Sequence, residues 1–105
     1  MEEQIKLVWS PRASDMLEDI HEYISEYSLK AAHKYIDGIY NSVAKLEKYP
    51  ESCSPCKNSK LNAEGFRCCL YRNHIIVYEF IQNQVEILAV IYSKIDPDRM
   101  IDLIG

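Results

Sequence analysis

The chain has 105 residues, 48% of them hydrophobic and 27% charged, with a formal net charge of −4. That length buries one modest core, so a single domain over residues 1–105 is expected, and the acidic balance argues against a generally basic nucleic-acid binder while leaving room for a local basic patch. No apolar run reaches the roughly 18 residues of a membrane span, and the start MEEQ lacks the basic and apolar parts of a secretory signal, so a cytoplasmic protein without a membrane partner is expected.

Residues 4–9, QIKLVW, put Ile5, Leu7 and Trp9 on one face and Lys6 and Val8 on the other, the period of a strand. The run ends at Ser10-Pro11, where serine can accept from free amides and proline is pre-set for the first helical position. Ala13, Met16, Leu17, Ile20, Tyr23, Ile24 and Tyr27 then recur at helical spacing, with Arg12, Asp15, Glu18, Asp19, Glu22 and Glu26 on the other side. Ser28 reads as the next cap, and Ala32, Tyr35, Ile36, Ile39, Tyr40, Val43 and Leu46 carry a second amphipathic helix to Tyr49-Pro50, where proline stops it. The short connection makes the helices an antiparallel hairpin. Their tyrosines, Tyr23, Tyr27, Tyr35 and Tyr40, read as core and interface surface rather than a stacking platform.

Residues 51–64, ESCSPCKNSKLNAE, have no period and read as a loop, whose Lys57 and Lys60 form a small cationic edge before the sheet. The next stretch, residues 65–97, holds the remaining strands. Phe66, Cys68 and Leu70 alternate with Arg67, Cys69 and Tyr71; Asn73 marks a turn; Ile76, Tyr78 and Phe80 alternate with Ile75, Val77 and Glu79. After Gln82-Asn83, the period predicts Val85, Ile87, Ala89 and Ile91 on the face that takes the helices, and Glu86, Leu88, Val90, Tyr92 and Lys94 on a face left open or partly covered. Residues 98–104 read as a short terminal helix or a segment that orders on a partner. The fold class is therefore α+β, in the order β-α-α-β-β-β, with a helical hairpin on a small antiparallel-rich sheet.

Cys53, Cys56, Cys68 and Cys69 superficially suggest a zinc or redox site. Cys68 and Cys69 leave a strand on opposite faces and cannot both close one tetrahedron without a bulge, and a cytoplasmic setting disfavours stable disulfides. Buried or incidental thiols are expected, with no metal and no cofactor.

The order of elements, with VWSPRASDMLEDIHEYI in the first strand and helix, Ala31-Ala32 through LEKYP in the second helix, then GFRCCLYRNHIIVYEF and VEILAVIYSKIDP, resembles the RelE/ParE toxins of type II toxin–antitoxin modules, also called plasmid stabilisation or addiction modules. The resemblance covers nearly the whole chain. It implies a growth-inhibiting toxin held by a cognate antitoxin, whose flexible segment wraps it. Leu29, Leu61, Ile101 and Ile104 are the apolar positions expected exposed for that contact. Family activity divides between poisoning of DNA gyrase and ribosome-dependent cleavage of messenger RNA.

Cleavage of RNA must activate a ribose hydroxyl, protonate the leaving oxygen and stabilise charge on the phosphate, which needs convergent Arg, Lys, His or Tyr. This sequence is depleted in them. Leu70 stands where RelE-like enzymes tend to carry arginine, the basic pair after the last strand is reduced to Lys94-Ile95, and RMIDLIG has no match to the terminal tyrosine. A ParE-like toxin that binds gyrase is the first expectation. An RNA-cleaving enzyme using Arg67, Tyr92 and Lys94 on ribosome and mRNA is the alternative, and an activity-decayed antitoxin-binding module the third. Candidate target-binding residues are Lys57, Lys60, Arg67, Arg72, His74, Tyr92, Lys94 and Arg99. Each has a bland counterpart: Arg67 paired with a carboxylate such as Glu79 or Glu86, His74 exposed beside a turn, Tyr92 as edge packing, and the lysines simply solvated.

Overall fold

A computed structural model describes residues 4–104, so the first three residues of the acidic start lie outside it. Strand β1, Lys6–Trp9, leads into helix α1, Pro11–Ser25, where the Ser10 hydroxyl accepts from the Ala13 amide at 3.0 Å. Ser28 caps helix α2, Leu29–Ala44, in the same way, accepting from the Ala31 amide at 3.1 Å. The backbone then tightens into a 3₁₀ turn over Lys45–Glu47 ahead of Pro50.

The region expected to be a plain loop contains a short helix, α3, Ser59–Ala63. Asn58 starts it by accepting from the Lys60 and Leu61 amides, a cap signal hidden among the loop's polar residues. Strands β2, Arg67–Tyr71, β3, His74–Ile81, and β4, Gln84–Tyr92, follow. The sheet order is β1-β4-β3-β2, with β1 parallel to β4 and the other pairs antiparallel. Gln82 and Asn83 both take positive φ, 52° and 61°, the pair of left-handed residues that a tight two-residue hairpin needs. The terminal segment forms two 3₁₀ turns, Pro97–Arg99 and Ile101–Leu103, in place of a regular helix. The α+β class and the order β-α-α-β-β-β read from the sequence are observed, with α3 added ahead of β2.

Strand β4 departs from simple alternation. Val77 lies opposite Ala89 but Tyr78 lies opposite Ile87, so Leu88 is the extra residue of a β-bulge. Before the bulge Val85 and Ile87 face the helices; after it Val90 does, while Ala89 and Ile91 are sent to the opposite side. The expected single face of Val85, Ile87, Ala89 and Ile91 is therefore corrected. The bulge is tied to the start of α1, because the Ser10 hydroxyl donates to the Leu88 carbonyl at 3.2 Å.

Two apolar clusters result. Between hairpin and sheet lie Leu17 and Ile20 of α1, Ile39 and Val43 of α2, and Ile76, Tyr78 and Ile87 of the sheet. On the other side, Val77, Ala89 and Ile91 are covered by Cys56, Leu61 and Met100. The face expected to be open or only partly covered thus has a cover of its own, made from the loop, α3 and the C-terminal turns.

Candidate target-binding site

At one end of the sheet, the β2–β3 turn, the end of β4 and the mouth of the helical hairpin meet. The pocket there, about 590 Å³, is lined by Asp19, Ile20, Tyr23 and Ile24 of α1, Tyr35 of α2, and Asn73, His74 and Tyr92 of the sheet. Register explains the meeting, since His74 pairs with both Tyr71 and Tyr92. Edge-on ring contacts join Tyr35 to Tyr71 at 5.2 Å, Tyr35 to His74 at 5.5 Å and His74 to Tyr92 at 5.9 Å.

Tyr35 Oη lies 2.6 Å from His74 Nδ1. With the phenol donating, Nδ1 is the acceptor and the ring proton sits on Nε2. Burial lowers the His74 pKa, so its neutral form is favoured, and burial raises that of Tyr35. A neutral imidazole whose Nδ1 is already occupied offers an N–H donor rather than a free base. Arg72 stands at the rim with a left-handed φ of 49° and its guanidinium 5.8 Å from the Tyr71 ring centroid. Arg72, His74 and Tyr92 are thus brought together, with Lys94 exposed two residues beyond.

Arg67 is elsewhere. It sits opposite Tyr78, four residues along β3 from His74, about 13 Å at the usual strand rise. One of its guanidinium nitrogens donates to the Cys53 carbonyl at 2.7 Å and, more weakly, to the Glu51 carbonyl at 3.4 Å. The other lies 3.5 Å from the Glu51 carboxylate. The expected partners Glu79 and Glu86 are out of reach, because they occupy the opposite face of the sheet from Arg67. The arginine holds the loop.

The loop lysines belong to the second face. Lys57 borders a groove of about 530 Å³ formed by Ser54, Pro55, Asn58, Leu61, Cys68, Leu70, Ile75, Pro97 and Met100, while Lys60 is exposed on α3 and Arg99 on the first C-terminal turn. Of the apolar positions expected to be exposed, Leu29 is, at 58%. Leu61 is fully buried in the second cluster, where α3 aims it inward, and Ile101 and Ile104 are half-buried against that cluster.

The cysteines require a correction. Cys68 and Cys69 do face opposite sides of β2, but both are bonded, Cys69 to Cys53 and Cys68 to Cys56. The loop passes around the edge of β2 and reaches both faces, a path that spacing alone does not reveal. Among the described residues no group of three or more His, Cys, Asp or Glu is placed to hold a metal ion.

The family model for the ParE toxin of type II toxin–antitoxin systems, parDE, matches residues 7–97. The chain belongs to this family. It is the toxin of a type II module. A solved chain described as "Chromosomal ParDE TA system from P. aeruginosa" is similar, with a TM-score of 0.72 and 19% identity over 87% of this chain and 98% of that one. At that identity the likeness establishes the fold. No curated protein matches the chain. No helix among the described residues is long and apolar enough to cross a membrane.

In this ParE toxin, sequence reading missed Tyr35 as the partner of His74, as well as Asp19 and Tyr23 in the pocket wall. One signal was present: Tyr35 lies on the buried stripe of α2, and a tyrosine there needs a partner for its hydroxyl. Which partner depends on a contact spanning 39 residues of chain.

Proposed function

We propose that this toxin stops growth by binding a macromolecular target, DNA gyrase, in the cytoplasm, and that a cognate antitoxin neutralises it. The carrying observation is the separation of the alternative catalytic set. Arg67 is bound to Glu51 and Cys53 at one end of β2, whereas Tyr92 and Lys94 belong to the other end of the sheet. RNA cleavage needs its cations within hydrogen-bonding reach of one phosphate, which this spacing denies to Arg67. The pocket of Tyr35, His74 and Tyr92, with Arg72 at its rim, offers rings and donors suited to recognition. Leu29, Ile101 and Ile104 remain the proposed apolar contacts for the antitoxin. The relative described as a ParDE system supports the idea of such a partner.

Purified protein assayed in parallel for inhibition of gyrase supercoiling and for ribosome-dependent cleavage decides the matter. Inhibited supercoiling with intact RNA is expected, weakened by Tyr92→Ala and by Arg72→Ala. Cleaved message that is lost in Arg67→Ala would overturn the proposal in favour of the nuclease. If neither assay responds while antitoxin still binds tightly, the chain is a decayed toxin.

A further inference from the structure

The two disulfides lie outside the target-binding pocket and act on one short segment. Between them, residues 53–56 run along the edge of β2, where the Cys56 amide donates to the Phe66 carbonyl at 3.0 Å and the Cys68 amide to the Ser54 carbonyl at 3.1 Å. Cys53–Cys69 fastens the segment on the hairpin side and Cys56–Cys68 fastens it on the other. The same unit reaches further, since the Asn58 side-chain amide donates to the Pro97 carbonyl at 2.6 Å and that of Asn62 to the Cys56 carbonyl at 2.9 Å. Loop, α3 and C-terminal turns are therefore one cover, anchored covalently at β2.

We propose that the bridges Cys53–Cys69 and Cys56–Cys68 are thiol–disulfide exchange sites at which a dithiol reductant releases this cover and opens the second face of the sheet. Each bridge joins a half-buried cysteine, Cys53 or Cys68, to a buried one, Cys69 or Cys56. Attack falls on the more accessible sulfur. A reductant thiolate forms a mixed disulfide with Cys53 Sγ, breaking its bond to Cys69, which leaves as thiolate and takes up a proton. The second reductant thiol then displaces Cys53 Sγ, so each bridge gains two electrons and two protons while one dithiol becomes a cyclic disulfide. The Cys56–Cys68 bridge follows the same course from Cys68. In the reducing compartment expected for this chain, the bridges are a state that can change. The hairpin side takes Cys53 from this unit, bonded to Cys69 of β2, and has the apolar contacts of two helices to hold it. The other side depends on the cover for Cys56, Leu61 and Met100.

The test uses the full chain, oxidised and then treated with dithiothreitol, with free thiols alkylated and counted by mass spectrometry and amide hydrogen exchange read segment by segment. On reduction, exchange in residues 51–58 and 97–104 is expected to quicken at least about tenfold more than exchange in α1 and α2. Equal exchange in both states would overturn the proposal by making the bridges bystanders. Acceleration in α1 and α2 equal to that in the cover would overturn it by making the bridges global staples, and stoichiometric zinc uptake by a reduced chain that stays protected would overturn it by making the cysteines a metal site. A variant carrying C53A, C56A, C68A and C69A should show the reduced pattern without reductant. Protection equal to that of the oxidised chain would count against the proposal, and if this variant does not fold, reduction of the wild-type chain decides alone.

Discussion

The hairpin-covered face of the sheet buries Ile76, Tyr78 and Ile87, and the loop-covered face buries Val77, Ala89 and Ile91, yet the two are closed by different means. On the first, two helices of 15 and 16 residues supply apolar stripes, with Leu17, Ile20, Ile39 and Val43 buried in the core they share with the sheet. On the second, the cover is a five-residue helix and two 3₁₀ turns, none able to hold itself together, so covalent bridges and side-chain amides from Asn58 and Asn62 do the fastening. Burial of similar side chains can thus rest on long-range periodicity in one place and on local ties in another. The second kind is the one that chemistry can undo.

The largest predicted effect breaks the second face covalently. The bridges are nested, with Cys56–Cys68 inside Cys53–Cys69. While either is intact, the other closes a ring of only a few residues, so replacing one pair by alanine is expected to cost about 2 kcal/mol in the chain-entropy account. Replacing both pairs also frees the long loop and should cost about 5 kcal/mol, more than twice the single-pair loss. Guanidinium denaturation of the four proteins under oxidising conditions measures this. Strictly additive losses would show that the bridges do not constrain one common segment.

A smaller effect tests the apolar part of the same cover. Leu61 is fully buried, so Leu61→Ala should cost about 2–5 kcal/mol, whereas Leu29→Ala, at an exposed position of α2, should stay within about 0.5 kcal/mol. Equal tolerance of the two in thermal unfolding would mean that α3 is not part of the core.

The hairpin face is probed more gently at its pocket. Tyr35→Phe removes the donor to His74 Nδ1 and should cost about 1 kcal/mol. Burial holds the His74 pKa below its ordinary 6.5, so the unfolded chain takes up the proton first as pH falls. The stability that neutral His74 contributes is complete above 6.5 and is lost as pH falls through the folded-state value. The phenol donating to Nδ1 adds to burial in favouring the neutral ring, so in the phenylalanine variant the imidazole titration, followed by NMR, should move upward while burial still holds it below 6.5. An unmoved titration would leave the hydrogen bond without effect on the site.

What could be read from the sequence divides along the same line. The starts at Ser10 and Ser28 and the stripes of α1 and α2 were legible, because caps and helical spacing are written in neighbouring residues. The bulge at Leu88 was not, since Val85, Ile87, Leu88, Ala89, Val90 and Ile91 are apolar in either phase and no residue marks the slip. Arg67 and Tyr92 were candidates for one site, but their separation follows from register, and the choice of Glu51 over Glu79 depends on which face Arg67 leaves. The bridges were illegible for a related reason: opposite-facing Cys68 and Cys69 look incompatible with one site until the loop is seen to go around the strand.

The smallest effect sharpens the contrast through charge. Glu79 lies directly opposite Glu86 on the second face, and partial burial, then Glu86 and then Glu64, raise its pKa above the ordinary 4.5. Because the folded-state pKa is the higher one, its favourable contribution is present below 4.5 and is lost as pH rises through the folded value. In their ionised forms Glu79 and Glu86 therefore repel one another across the two strands. Glu79→Gln should stabilise the chain at pH 7 by a few tenths of a kcal/mol, a modest figure because the site is partly solvated. Denaturation at pH 7 and again at pH 3, with and without added salt, reads the cause. The gain should disappear at the lower pH, where Glu79 of the wild-type chain is protonated, and should shrink at high ionic strength. A gain that persisted at pH 3 would trace to packing of the amide and not to repulsion between the two carboxylates.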